Sequence, residues 1–340
     1  MLSITLLVPG LFDAEYEQQG HESELPGLET ILARSNSRAV NVRPYTESLC
    51  ELFQCDYVID EDIPMAAIGR LIDGEQKPDG YWMRADPVHL HADQKSLNLV
   101  DVNSLALTQH DALALAASVR RSFTELGWEL EVPVPGRWYV KLDKKPLIRT
   151  SEIYSVIGRN IQEFMPSGEH SSTWHRLMNE VQIQLHNADI NQIRAERGEL
   201  PINSLWFWGS GKLPELLQRR WTRVYSDDNG TMGLSMLSNT PCLPLPSDSN
   251  ELLEGDNTRA DILVVMSDFQ TTMLQRGQAR QRLLQFEKNW CNSMLNALKN
   301  GQLRNLNILT RRKEFRLNKS GLWRFWKKIH PFNSIVNELV

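Results

Sequence analysis

Three short apolar runs constrain this fold most: Ile4 to Val8, Asp261 to Met266 and Leu306 to Thr310. A strand without polar alternation is buried on both faces, which is the pattern of a parallel strand between two layers of helix. Helical patterns accompany the runs at Leu28 to Ala33, Pro64 to Leu71 and Gln278 to Leu298. Strands alternating with helices at both ends of the chain predict an α/β fold, a parallel sheet with helices on both faces. Val40 to Val42 is a candidate for a further short strand, and the Pro-, Ser- and Asp-rich stretch Thr240 to Glu254 for an exposed loop.

The middle of the chain has a different character. Trp82 to Val102 alternates and predicts paired strands. Thr108 is a candidate N-cap, with Asp111 three residues on, for an alanine-rich helix reaching about Thr124. Trp128 to Leu142, broken by Pro133, Pro135 and Gly136, predicts strands joined by a tight turn. Trp174, Leu177, Met178, Val181, Leu185 and Ile193 keep helical spacing and predict one long helix over Thr173 to Glu196. The organisation predicted is a discontinuous core, 1–80 and 201–340, interrupted by a smaller α+β cap domain, 81–200.

At 340 residues, 41% hydrophobic and 23% charged, the chain can bury a substantial core, and a net charge of −5 gives no overall basic balance toward nucleic acid. Cys50, Cys55, Cys242 and Cys291 form no C-x-x-C pair and read as free thiols of a reducing compartment. The N-terminus has neither a basic region nor a small-residue cleavage site and reads as a first strand. No apolar run approaches a membrane span. A cytoplasmic location is the expectation.

Ile202 to Pro214 carries two of the chain's ten tryptophans into Gly209-Ser210-Gly211-Lys212. It predicts a buried strand, Trp206 and Trp208 on one face and Phe207 on the other, delivering a loop to the carboxyl edge of the sheet, where open α/β sheets bind ligands. The stretch fails the phosphate-loop pattern, since Trp206 stands where glycine is needed and Leu213 where Ser or Thr is needed. A backbone nest for an anion and a plain tight turn both remain open. No G-x-S-x-G elbow supports a hydrolase triad.

The stretch from Asn203 to Gly211 resembles the Asn-x-x-Trp-x-Trp-Gly-x-Gly segment of cofactor-independent phosphoglycerate mutases, which belong to the alkaline phosphatase superfamily. Three further segments are similar and occur in the same order: Val8 to Asp13, Leu25 to Ala33, and Arg84 to Leu90. Arg84-Ala85-Asp86-Pro87-Val88-His89-Leu90, the stretch from Leu205 to Pro214 and Trp323-Arg324-Phe325-Trp326 also resemble RpfE-type bacterial regulatory proteins. The resemblance implies an alkaline-phosphatase-like core and, in the mutases, phosphoryl transfer through a Ser or Thr beside two divalent metals held by Asp and His.

This chain departs from that pattern. Pro9 stands where the first metal-ligand Asp is expected, and Asp13 is a poor substitute because it starts the next turn. Arg311-Arg312 stand where an Asp-His pair is expected, and guanidiniums repel cations. Only His330, of eight histidines, lies beyond residue 186. No nucleophile stands out, although Thr46 and Ser48 lie in about the right region. These departures point to a catalytically degenerate protein of regulatory or scaffolding role that needs no cofactor. Its ligand would be an anion held by Arg311, Arg312, Arg84 and Lys212, the competing reading being that Arg311 and Arg312 point to solvent within the basic tail. The alternative is an active metal-dependent phosphomutase or phosphatase with two divalent metals on relocated ligands, Asp13, Asp86, His89 and His91.

His89 and His91 lie two apart on a strand pattern and could reach one ion, with Asp86 and Asp93 nearby. A structural strand and a recognition strand for a small ligand are the other readings. The segment from Leu303 to Lys328 holds nine basic residues against Glu314, a charge of +8 that leaves −13 on the rest of the chain. Arg316, Lys319, Trp323, Arg324, Trp326, Lys327 and Lys328 make it a candidate surface for a protein partner or nucleic acid, with an anionic membrane a further fit. The competing reading is a solvated strand pair with Phe315, Leu317 and Leu322 packed inward.

Overall fold

A computed structural model describes residues 2–13, 23–93, 96–100, 104–254, 259–272 and 277–337. In chain order the elements are β1 (Leu2–Leu7), α1 (Pro26–Arg34), β2 (Asn36–Ala39), α2 (Tyr45–Phe53), α3 (Met65–Asp73), β3 (Tyr81–Ala92), β4 (Leu97–Val100), α4 (Gln109–Thr124), β5 (Glu129–Val134) and β6 (Arg137–Leu142). They continue with α5 (Ser171–His186), α6 (Asp189–Glu196), β7 (Ser204–Gly211), β8 (Arg223–Tyr225), α7 (Asn229–Leu237), β9 (Cys242–Leu243), α8 (Asn250–Leu253), β10 (Asp261–Val265) and α9 (Phe269–Thr272). The last are α10 (Gln278–Phe286), α11 (Asn292–Asn300), β11 (Leu303–Leu309), β12 (Lys313–Asn318) and α12 (Phe332–Asn337). None of the described helices is long and apolar enough to cross a membrane.

The chain forms two units, Met1–Gln54 with Leu217–Val340, and Cys55–Leu216. Those junctions differ from the 80/81 and 200/201 boundaries that composition suggested.

In the first unit a seven-stranded sheet runs β2-β12-β11-β1-β10-β8-β9. β1 lies at its centre, parallel to β10 on one side and β11 on the other. β8 and β9 extend the parallel part, while β12 and β2 add antiparallel strands at the far edge. The apolar runs become β1, β10 and β11, and Ile262 through Val265 are all buried, as a two-sided strand requires. Ile4, Leu6, Ile262, Val264 and Ile308 share one core with residues of α1, α10, α11 and α12. Leu7, Leu263 and Val265 alternate to the other face and are buried too.

Helix α1 has no side-chain cap of its own. The Glu287 carboxylate supplies one from far along the chain, accepting from Gly27 N at 2.7 Å and Leu28 N at 2.8 Å. This satisfies two orphan donors and places negative charge at the positive end of the helix. Glu287 opens a π-helical turn, residues 287–291, that joins α10 to α11. The single helix expected from Gln278 to Leu298 therefore carries an irregular turn at its middle. The extra strand lies at Asn36–Ala39, not Val40 to Val42, as an exposed edge. The loop expected over Thr240 to Glu254 holds the short elements β9 and α8.

The second unit has a five-stranded sheet in the order β4-β3-β6-β5, with β7 also on β3. Its described pairings are antiparallel. Thr108 does cap α4, accepting from Asp111 N at 3.1 Å. The long helix expected over Thr173 to Glu196 is two helices, α5 and α6, separated at Asn187 and Ala188. There the Asn187 side chain donates to Ile183 O at 2.9 Å, an alternative to continuing the helix.

The tryptophan segment is the buried strand expected, but in a different sheet. β7 pairs antiparallel with β3, Arg84 opposite Trp208 and Asp86 opposite Trp206, and so is not a strand of the parallel sheet. Phe207 packs on Phe123 of α4 and Trp174 of α5, whereas Trp208 Nε1 donates to Asp86 and Trp206 Nε1 to Ser151 O. Burial of every residue from Ser204 to Ser210 gives this strand the unbroken apolar look of a parallel one. Periodicity alone cannot separate the two.

Candidate functional site

The carboxyl ends of β1, β10 and β11 meet at one edge of the first unit. Hydrogen bonds from Val8 N to Leu309 O (2.8 Å), Met266 N to Leu7 O (3.0 Å) and Arg311 N to Pro9 O (3.4 Å) carry the three backbones past the sheet together. Gly10 is pressed onto the start of α9, where a Cβ would lie 2.0 Å from Phe269 O. No side chain fits there, so this approach depends on glycine.

Arg311 reaches across the edge. Its Nη1 donates to Asp13 Oδ2 at 3.1 Å and its Nη2 to Gln270 Oε1 at 3.4 Å. Gln270 is 1% exposed. Gln270 Nε2 and Arg311 Nε are buried donors with no hydrogen-bond partner among the described residues. Unsatisfied buried donors are costly, and here two occur on side chains that touch each other. Asp268 is engaged by Arg282 Nε at 2.5 Å, with that guanidinium over the Phe269 ring. At the end of β8, Asp228 caps α7 through Thr231 N and Oγ1, both at 2.8 Å.

Two hard divalent cations would need several free carboxylates or imidazoles here. Among the described residues, the ends of β1, β10 and β11 offer Pro9, a carboxamide, a guanidinium and two carboxylates already paired with arginines. These residues do not fit a metal pair, and the described residues contain no cluster of three or more His, Cys, Asp or Glu side chains able to hold an ion. Arg312 takes a different place from Arg311. Its backbone forms the turn between β11 and β12, with its N–H donating to Thr310 Oγ1 and its carbonyl accepting from Val40 N. Thr46 and Ser48 are buried on α2, and Ser48 Oγ donates to Pro44 O at 3.4 Å.

Other candidates belong to the second unit. Arg84 is on β3 and is buried against Asp86, with Nε donating to Oδ1 at 2.8 Å. Its guanidinium also lies over the rings of Tyr139 and Trp208. Burial opposes the Arg84 charge, but the Asp86 carboxylate together with the Tyr139 and Tyr154 hydroxyls prevails and raises the arginine's pKa. Burial pushes the Asp86 carboxyl upward, while Arg84 and the Trp208 N–H pull it back. The pair is therefore committed internally, which takes Arg84 from the anion set and Asp86 from the metal set. His89 is buried with Nδ1 on Pro201 O at 2.8 Å, and His91 is exposed, their rings 6.3 Å apart. Lys212 lies over the Tyr81 ring and lines a cavity of about 300 Å³ with Asp62, Tyr81, Lys145 and Ser210.

The basic segment divides between the two readings. Phe315 and Leu317 are buried in the core and Leu322 packs against it, whereas Trp323, Phe325 and Trp326 are exposed. Sequence reasoning missed Gln270 and Arg282. Gln270 follows an apolar run in an ordinary polar stretch, and only the fold shows that it is buried.

No protein-family model matches the chain. A 63-residue stretch is 38% identical to a probable 2,3-bisphosphoglycerate-independent phosphoglycerate mutase of Geobacter sulfurreducens, covering 18% of this chain and 16% of that protein. A 62-residue stretch is 32% identical to the 2,3-bisphosphoglycerate-independent phosphoglycerate mutase of Methanosarcina barkeri, again 18% and 16%. Part of this chain is homologous to phosphoglycerate mutases. The matches span only about a sixth of the length of those relatives. The PH0037 protein from Pyrococcus horikoshii shares the fold, with a TM-score of 0.52 over 93% of this chain and 87% of its own at 10% identity. A cofactor-independent phosphoglycerate mutase from Thermoplasma acidophilum aligns over 100% of this chain and 99% of its own, with TM-score 0.45 and 14% identity.

Proposed function

We propose that this chain is a catalytically degenerate relative of the phosphoglycerate mutases with a regulatory or scaffolding role. One observation carries the reading. The Arg311 guanidinium occupies the carboxyl edge of the parallel sheet, bonded to Asp13 and Gln270, and among the described residues a buried donor is left over on each of Arg311 and Gln270. A guanidinium can neutralise and orient the oxygens of an anion. It cannot ligate water or a nucleophile and lower its pKa as a divalent metal does. The edge is thus suited to holding an anionic ligand without turning it over. The C-terminal segment around Arg316, Lys319, Trp323 and Trp326 is the surface through which the chain would engage a partner.

The test is turnover and metal content of the purified full chain. Interconversion of phosphoglycerates and phosphate release from generic esters are measured with added Mn, Mg or Zn, beside elemental analysis. The expected result is turnover no greater than that of an Arg311→Ala variant and substoichiometric metal. Two metals per chain, lost together with turnover in Asp13→Ala or Asp268→Ala, would overturn the reading in favour of a metal-dependent phosphomutase or phosphatase.

A further inference from the structure

Residues 323–330 reverse the usual placement of side chains. Two of their cations turn inward: Arg324 Nη1 donates to Arg34 O at 3.1 Å and Lys327 Nζ to Ser35 O at 2.7 Å. Both carbonyls belong to the C-terminal end of α1, where orphan acceptors and the helix dipole favour positive charge. Their aromatics turn outward. Trp323 is 65% exposed, Phe325 68% and Trp326 79%, with Ile329 at 41%. Trp323 and Phe325 meet edge to face at 5.7 Å, and the Arg34 guanidinium lies over Phe325. The loop is pinned to the helix end by its cations, so the aromatic cluster is presented outward by a fixed support.

We propose that this loop docks the protein on an anionic lipid surface, the aromatic rings and Ile329 entering the interface and Lys319 and Lys328 lying at headgroup level. Three features favour a bilayer. From Phe315 to Asn337 the sequence contains no Asp or Glu, so the segment that carries the aromatics bears charge of one sign. A uniformly anionic surface complements such a rim without matched partners. The apolar groups project from a short loop, and tryptophan rings flanked by cations suit the membrane–water interface. Finally, most cations nearby are already used. Arg316 is paired with Glu314, and Arg324 and Lys327 cap α1. Lys319 and Lys328 are exposed, too few to track a nucleic-acid phosphate backbone, whose affinity comes from many such contacts. Insertion of one short loop is a weak anchor, so docking is reversible and depends on both apolar and electrostatic contributions.

The experiment is co-sedimentation of the full chain with phosphatidylglycerol-containing vesicles, against phosphatidylcholine alone. The expected result is binding to the anionic vesicles only, weakened by salt. A Trp323→Ala, Phe325→Ala, Trp326→Ala variant should lose it. A Lys319→Glu, Lys328→Glu variant should bind at least about tenfold more weakly, since each cation near such a surface is worth roughly fivefold. All five side chains are exposed, so both variants should keep the parent's melting temperature, which separates lost docking from lost fold. Parent-like binding by the aromatic variant, or no sedimentation of the parent, overturns the proposal. So does binding of the parent to single-stranded oligonucleotides in preference to vesicles, or an aromatic-dependent dimer in gel filtration. Each of these would reassign the loop to nucleic acid or to a second copy of the chain.

Discussion

The guanidinium of Arg311 donates to Asp13 across 3.1 Å and so ties the loop after β11 to the loop after β1. The sequence casts the two residues in opposite roles, one as an anion ligand and the other as a displaced metal ligand. Paired, they give the carboxyl edge an internal counter-ion that an incoming anion must replace.

That exchange predicts a specific ligand response. In a thermal-shift screen, a phosphorylated metabolite that enters the edge should raise the melting temperature by a few degrees. The basis is a gain of about 1.4 kcal/mol when the anion is present at roughly ten times its Kd. An Arg311→Ala, Arg312→Ala variant should lose the response. Asp13→Asn should strengthen it, because the competing carboxylate is gone. An unchanged response in the arginine double variant would place the anion elsewhere.

Gly10 gives a prediction about the same edge that concerns the fold alone. Replacing it with alanine puts a Cβ onto the carbonyl of Phe269, which is backbone and cannot swing away. The β1 loop and the start of α9 must part, at a cost of about 2–3 kcal/mol, as in other overpacked sites. A lower urea midpoint with an unchanged slope is the expected readout. A parent-like midpoint would mean that the two loops do not approach this closely.

The buried pair in the second unit should behave as a unit. Arg84→Met leaves Asp86 buried without its counter-charge, and a loss of about 3–5 kcal/mol is expected. Asp86→Leu strands Arg84 and the Trp208 N–H in the same way. The double variant should recover much of either loss, which a double-mutant cycle measures as a large coupling. Additive effects would show that Arg84 and Asp86 do not depend on each other.

These residues also show what a sequence can and cannot reveal here. β1, β10 and β11 were legible because burial on both faces leaves an unbroken apolar run. The Thr108 cap was legible because capping is local. β7 was legible as a strand, but its sheet was not, since a strand covered on both faces looks the same in parallel and antiparallel company. Arg84 reads as an anion ligand until its neighbour two residues on, Asp86, is seen to share its buried face. Gln270 and the Glu287 cap of α1 were invisible for a related reason. Their partners, Arg311 and Gly27, are distant in sequence, and only the tertiary fold brings them together.

Asp73 supplies the pH dependence. Arg137 donates to both of its oxygens, Nε at 2.7 Å and Nη2 at 2.8 Å, and the Tyr139 hydroxyl donates at 2.5 Å. Burial works to raise the Asp73 pKa, but the Arg137 and Tyr139 hydrogen bonds and the arginine charge prevail and hold it below the usual carboxylate value. A folded-state pKa below the unfolded one means that the unfolded chain takes up this proton first as pH falls. The stabilisation is complete above the unfolded value, about pH 4, and is lost as pH drops through the lower folded value. Asp73→Asn keeps the shape but removes the charge, and should cost about 2–3 kcal/mol at neutral pH. Urea unfolding of the two proteins should therefore show a gap that is constant from about pH 5 to 8 and narrows below about pH 4. A gap that persists undiminished at low pH would mean that the asparagine disturbs packing, and that the ion pair with Arg137 contributes little.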